Sequence, residues 1–123
     1  MENKKLRFNF EDLLLYQKSL DFIQMVYSLS SEFPKTEIYA LTNQFRRASN
    51  SIALNIAEGS GASKLQFIRY LNIAKGSIHE CVVCVTLASK LKYINQSQDE
   101  ELRVKLVELS KMCSGLISKL KET

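Results

Sequence analysis

The sequence predicts an all-α protein, an antiparallel up-down-up-down four-helix bundle, on three observations. Apolar residues recur in steps of three and four over four long stretches, the spacing that lines one side of a helix. Short polar breaks separate the stretches, so successive helices must lie antiparallel to one another. One proline, four glycines and 46% hydrophobic residues suit continuous helices rather than turn-rich sheets. A chain of 123 residues fits a single domain over residues 1–123, with helices expected at about 11–31, 37–58, 64–94 and 98–120.

The first helix, from about Glu11, is expected to be capped by Asn9, with Asp12 three residues later as in a capping box and with Glu11 and Asp12 complementing the positive end of the dipole. Leu13, Tyr16, Leu20, Ile23 and Tyr27 form one apolar stripe, and Leu15, Phe22, Val26 and Leu29 a second beside it. A helix with two stripes needs neighbours on more than one side, which leaves one stripe for a contact between subunits. Phe33-Pro34 ends this helix, because a residue before proline is pushed away from helical angles.

Thr36 is the expected cap of the second helix, with Glu37 in its first turn. Ile38, Leu41, Phe45, Ala48 and Ile52 form its seam, which continues through Asn55 to Gly59. Ala48, Ser49, Ser51, Ala53 and Ala57 are small enough to admit another helix closely, and an Asn on the seam is a register-fixing device. The helix is expected to stop at Glu58, with Gly59-Ser60-Gly61 taking left-handed conformations.

Ser63 and Gln66 then have capping-box spacing. The third helix, expected to be the longest, keeps a heptad through Phe67, Leu71, Ala74, Ile78, Cys81, Val85 and Ala88. Ala74, Ser77, Cys81, Cys84 and Ala88 make a ridge of small side chains to face the small residues of helix two. Gly76 costs about 1 kcal/mol relative to Ala inside a helix, so a backbone is expected to approach it. Asn95-Gln96 break the pattern, and Ser97 with Glu100 is the expected capping box of the fourth helix. That helix carries Leu102, Leu106, Leu109, Cys113, Leu116, Ile117 and Leu120.

The formal net charge of +4 is modest and unevenly placed. Residues 1–34 hold four Lys/Arg against five Asp/Glu, residues 35–75 six against two, and residues 76–123 seven against six. An anionic partner is therefore expected at helix two and the first half of helix three. The polar set there is Arg46, Arg47, Lys64 and Arg69, with Lys75 further along, and these are the candidate nucleic-acid contacts; Tyr39 and Tyr70 are the aromatic residues nearest to them. On a monomer the same cations would be solvated or held in local salt bridges, whereas repetition around a ring would make them a polyvalent band. No apolar run approaches ~18 residues, the length that spans a bilayer, so no membrane partner is expected. Glu11 and Asp12 interrupt the N-terminal apolar run, and three cysteines read as reduced thiols, so a cytoplasmic location is expected.

No catalytic residue, metal site or cofactor is expected. Cys81 and Cys84 form a C-x-x-C, but they continue a core ridge, and His79 points away from Cys81. No Glu-x-x-His pair is present for a di-iron bundle, and no phosphate-cradling glycine loop precedes a helix. The amides at the start of helix three, with Ser63 and Lys64, can hold one phosphate. Glu58 and Glu80 are expected as buried structural acceptors.

Phe33-Pro34, Gln44, Arg47-Ala48, Ser51-Ile52 and Asn55-Ile56-Ala57-Glu58-Gly59, followed by Ala74, Gly76-Ser77 and Glu80, carry a family resemblance. The chain resembles the four-helix-bundle proteins encoded in intervening sequences of bacterial 23S ribosomal RNA genes. The match starts near Phe10-Glu11-Asp12-Leu13 and runs almost to the C-terminus. The resemblance marks Asn55, Glu58, Gly59 and Gly76 as structural-motif residues. It implies an up-and-down bundle assembled as a homo-oligomer, a pentameric ring. It also implies kinship with accessory variability proteins of diversity-generating retroelements, whose partners are nucleic acid and a reverse transcriptase, but no settled biochemical activity. Arg47 matches a basic position of the family, while Ala62 stands where relatives often place Arg and Asn50 where an apolar residue is usual. The expectation is a non-enzymatic oligomer that binds RNA or other nucleic acid through phosphates without reading sequence. The alternative is a protein-interaction scaffold that touches no nucleic acid.

Overall fold

The computed structural model describes residues 6–123, and among them it forms four α-helices and no strand: α1 (Leu14–Ser30), α2 (Leu41–Ser60), α3 (Lys64–Lys90) and α4 (Gln96–Glu122). Each helix packs on its neighbours in the chain and α4 closes back onto α1, while the diagonal pairs do not meet, which is the arrangement of an up-down-up-down bundle. The α2–α3 contact is the most extensive and the α1–α4 contact the slightest. Lys18 Nζ and Glu108 Oε1 tie that weaker seam at 3.1 Å.

The periodicity places most of the core; Ile38, expected on the α2 seam, lies before that helix and is exposed. Phe22 from α1, Phe45, Ile52 and Ile56 from α2, Leu71 and Ile78 from α3, and Leu102, Leu106 and Leu109 from α4 are all fully buried. Each such side chain contributes about 1.5–3 kcal/mol by leaving water. On α1 the stripe of Leu15, Phe22 and Val26 enters this core, while Leu20 and Tyr27 of the other stripe stay about 40% exposed, at 39% and 40%.

The helix ends differ from expectation in ways with a common cause. Asn9 does not cap α1: Asn9–Asp12 is a 3-10 turn in which the Glu11 carboxylate accepts the Phe8 N–H at 2.8 Å, and the helix proper starts after Leu13. Thr36 does not cap α2 either, because Lys35–Glu37 is another 3-10 turn. Glu37 instead accepts the Leu41 N–H at 3.4 Å and, through its other oxygen, the Tyr93 hydroxyl at 2.7 Å. The α2 entry is thus held by a residue from the α3–α4 connection.

α2 runs on to Ser60, and no glycine among the described residues has positive φ. The left-handed residue is Lys92, at φ 63°. It ends α3 earlier than expected, at Lys90, with Tyr93 N–H donating to Ala88 O at 2.8 Å and Lys92 N–H to Ser89 O at 3.0 Å, the Schellman pattern. Ser63 caps α3 as expected, accepting the Gln66 N–H at 3.2 Å. For α4 the cap is Asn95 with Gln98, not Ser97 with Glu100: Asn95 Oδ1 accepts the Gln98 N–H at 2.8 Å and Gln98 Oε1 accepts the Asn95 N–H at 2.9 Å. α3 and α4 are equally long at 27 residues.

By length and composition alone α3 is apolar enough to cross a bilayer, although polar residues interrupt its apolar runs. Leu71, Ile78 and Val85 of this helix are buried in the bundle, while Leu65, Val83 and Leu87 are exposed.

Candidate nucleic-acid interface

The α2–α3 seam is built from the small residues of both helices. Ala74, Ser77, Cys81, Cys84 and Ala88 are buried along α3 and Ala48 and Gly59 along α2, while Ala53 is turned to the groove with α1. Ser77 Oγ donates to Ser51 Oγ at 2.9 Å and so fixes the register between the helices. Asn55, expected to do this, bonds within its own helix: its Nδ2 donates to Ser51 O at 2.8 Å and to Ser51 Oγ at 3.0 Å. Gly59 is buried where α3 comes closest; a Cβ there would lie 2.7 Å from Tyr70 Cβ. Gly76 is the reverse of its expectation. It is exposed, and a Cβ on it would meet nothing within 4 Å.

The candidate cations part company in this frame. Arg46 belongs to the bundle: its Nε donates to Ser30 Oγ at 2.8 Å, its Nη2 reaches Tyr27 O at 3.4 Å, and its guanidinium lies 4.7 Å from the centre of the Tyr27 ring. A positive charge at the last turn of α1 meets the negative end of that helix. Asn50, one turn on, donates to the Tyr27 hydroxyl at 2.8 Å and completes the lock.

Arg47, one residue further and turned by about 100° on the helix, is exposed on the α3 side. With Gln44, Ala48, Ser51 and Glu80 it lines a polar cleft. Among the described residues it makes no hydrogen bond or ion pair. Lys64 is exposed in the first turn of α3, and Arg69 is exposed with its guanidinium 5.6 Å from the centre of the Tyr70 ring and a long contact of 3.5 Å to Gln66. These two lie at the Gly59 end of the seam, ~18 Å or more along α2 from Arg47 at about 1.5 Å per residue. The structure therefore does not gather the four cations: it gives Arg46 a packing task, places Arg47 alone in a cleft and groups Lys64 with Arg69 beyond it. Lys75 faces α4, near enough to Cys113 to oppose the effect of burial on that thiol.

Glu58 and Glu80 are both exposed, contrary to the expected burial, because each lies on the outer edge of its helix. Glu80 and Gln44 are functional candidates that charge counting misses. Their signal is spacing: Gln44, Ala48 and Ser51 share one face with Arg47, and antiparallel pairing of Ser51 with Ser77 brings Glu80 opposite Arg47.

The thiols are buried and turned inward. Burial raises Cys84 to about 11, with the Glu80 carboxylate adding to the rise, and raises Cys113 to about 11. Cys81 is raised further, by burial and then by Cys84 and Glu80. His79 is exposed and lines a different groove, between α3 and α4, and no cluster of metal-ligating side chains occurs among the described residues.

Fold and site together define a four-helix bundle with a close small-residue seam and a polar cleft beside it. The family described as 23S rRNA-intervening sequence protein matches residues 11–115, and the chain belongs to that family. It is similar to a solved structure, a protein with unknown function from the S23 ribosomal protein family from Bacteroides thetaiotaomicron VPI-5482. The two share 27% identity over 85% of this chain and 98% of that one, with a TM-score of 0.78. No curated protein matches the chain.

Proposed function

We propose that the protein is a non-enzymatic bundle that self-associates and holds RNA or other nucleic acid by phosphate contacts, without reading base sequence. The observation that carries this reading is that Arg47, Lys64 and Arg69 are exposed with no carboxylate within ion-pair distance among the described residues. Three scattered cations grip a polyanion weakly; copies arranged around a ring multiply them, and every phosphate neutralised releases counterions.

Self-association is supported by two apolar grooves on different helix pairs. One lies between α1 and α2, where Leu20 and Leu54 are 39% and 67% exposed. The other lies between α3 and α4, where Val107 is 54% exposed. Two unlike sticky faces on one bundle suit head-to-tail contact, the kind that closes into a ring. Sedimentation of the native protein tests this part, and a lone subunit at micromolar concentration removes it.

Binding is tested by titrating labelled single-stranded RNA at several salt concentrations. Affinity is expected at low salt and should fall linearly on a log–log plot as salt rises. Reversing charge at Arg47, Lys64 and Arg69 together is expected to weaken binding about tenfold or more. No affinity at low salt, or an affinity indifferent to salt, sinks the proposal.

The same exposed apolar surface favours a second reading, a scaffold for a protein partner such as a reverse transcriptase. A pull-down with nuclease treatment separates the two, since partners lost on digestion were held through nucleic acid.

A further inference from the structure

The polar cleft between α2 and α3, of about 310 Å³, differs from both apolar grooves in what lines it. Three of its residues carry hydrogen-bond donors: the Arg47 guanidinium, the Gln44 carboxamide and the Ser51 hydroxyl. The Ser51 oxygen accepts from Asn55 Nδ2 at 3.0 Å and shares a hydrogen bond of 2.9 Å with Ser77 Oγ, whose hydroxyl also reaches Ile73 O at 3.3 Å, so Ser51 is pinned in the cleft wall by its neighbours. Ala48 forms the neutral floor. Against these donors stands one group that only accepts, the Glu80 carboxylate from the α3 wall.

Arg47 and Glu80 share this cleft without closing on each other. Elsewhere in the molecule facing charges do close, Lys18 on Glu108 at 3.1 Å and Arg103 on Asp99 at 2.8 Å. Here both side chains are exposed, and neither has a hydrogen bond or ion pair among the described residues. Glu80, although exposed, forms part of the cleft lining with Arg47. An exposed ion pair gains little by closing, so an incoming anion with several acceptor oxygens can take Arg47 in its place.

The geometry points to a seat for a single phosphodiester group in the α2–α3 cleft, in which Arg47 and Gln44 donate to the phosphate oxygens, Ser51 forms part of the polar wall, and Glu80 sets the affinity by competing for Arg47. This rests on the nucleic-acid reading above and adds to it the position of one contact and the residue that restrains it. Glu80 is then a specificity-determining residue. It keeps the cleft from holding any passing anion, so that retention depends on the further contacts a polymer makes at Lys64 and Arg69.

The test is a titration of a labelled, mixed-sequence single-stranded RNA of about 20 nucleotides into the full chain at low salt, read by fluorescence anisotropy. The variants are Glu80→Gln, Arg47→Ala and the two combined, with Glu58→Gln as a control that removes an exposed carboxylate lying outside the cleft lining. All three positions are at the surface, and circular dichroism checks that each variant is folded. Glu80→Gln is expected to tighten binding about three- to tenfold, Glu58→Gln less than about twofold, and the Glu80→Gln gain is expected to vanish in the Arg47→Ala background. Salt-dependent binding that ignores Glu80→Gln overturns the inference alone. So does an equal gain from Glu58→Gln or in the Arg47→Ala background, which would mean that only net charge had changed. If neither the wild type nor Glu80→Gln binds RNA at low salt, the nucleic-acid reading itself has failed.

Discussion

Along α3 the side turned into the bundle and the side turned to solvent meet different surroundings. Inward are Ala74, Ser77, Cys81, Cys84 and Ala88, all buried. Outward are Gly76, Glu80, Val83 and Leu87, all exposed. The two glycines make the contrast sharpest. Gly59, on the helix that α3's inner edge meets, has no room for a Cβ, whereas Gly76 on the outer side has open space around it. A small residue is constrained where a neighbouring helix comes close, and composition alone does not show which side that is.

The largest expected effect belongs to the inner face and is alkaline loss of stability. Cys84 and Cys113 are raised by burial from 9.0 to about 11, so the folded state holds their protons over a range in which the unfolded chain has released them. Stability is therefore full below about pH 9 and falls as pH rises towards 11, by about 1 kcal/mol per pH unit for each thiol. Urea midpoints between pH 8 and 11 measure it. Other groups titrate in that range, Cys81 among them, so the decisive reading is a difference: Cys84→Ala with Cys113→Ala should reduce the slope, whatever offset the two cavities introduce. An unchanged slope would mean that the thiols are better solvated than their burial indicates.

Next in size is Gly59→Ala. The added methyl would lie 2.7 Å from Tyr70 Cβ and 3.0 Å from the Phe67 ring, and a Cβ cannot swing aside as the end of a long side chain can. α3 must move, at about 1–3 kcal/mol, offset in part by the better helix propensity of Ala. A net loss of about 1–2 kcal/mol is expected in denaturant unfolding. A gain would show that the seam is looser than drawn.

The division between faces also explains what the sequence discloses. The four helices and their core sides are legible because apolar period is local: Leu71, Ala74, Ile78, Cys81 and Val85 announce one face, and all are buried. The ends are not, because other parts of the chain satisfy them. Glu37 holds the start of α2 while bound to Tyr93, and Lys92 turns left-handed because Tyr93 and Lys92 N–H groups return to Ala88 and Ser89, with no glycine to signal it. The site is legible to the same degree. Arg46 and Arg47 look alike in sequence, yet a rotation of about 100° sends one to the end of α1 and the other to the α3 side. The α1 ring that receives Arg46, Tyr27, is visible in the sequence, but its distance from Arg46 is a property of packing.

The smallest expected effect has the opposite sign and tests the outer face. Gly76→Ala adds a methyl that touches nothing and removes backbone freedom from the unfolded chain, so the folded state should gain about 0.5–1 kcal/mol. The urea midpoint should rise with no change in the slope of the transition. Gly76 adjoins Ser77 on the seam and lies one turn from Glu80 at the cleft, so the surface it leaves flat is next to the proposed phosphate seat. An isolated bundle gives no reason for glycine at this position. If Gly76→Ala stabilises the fold yet weakens self-association or RNA binding, the reason lies in what approaches that surface from outside. If it stabilises the fold and leaves both unchanged, the outer face at this level is bare, and contacts between copies must be sought in the two apolar grooves instead.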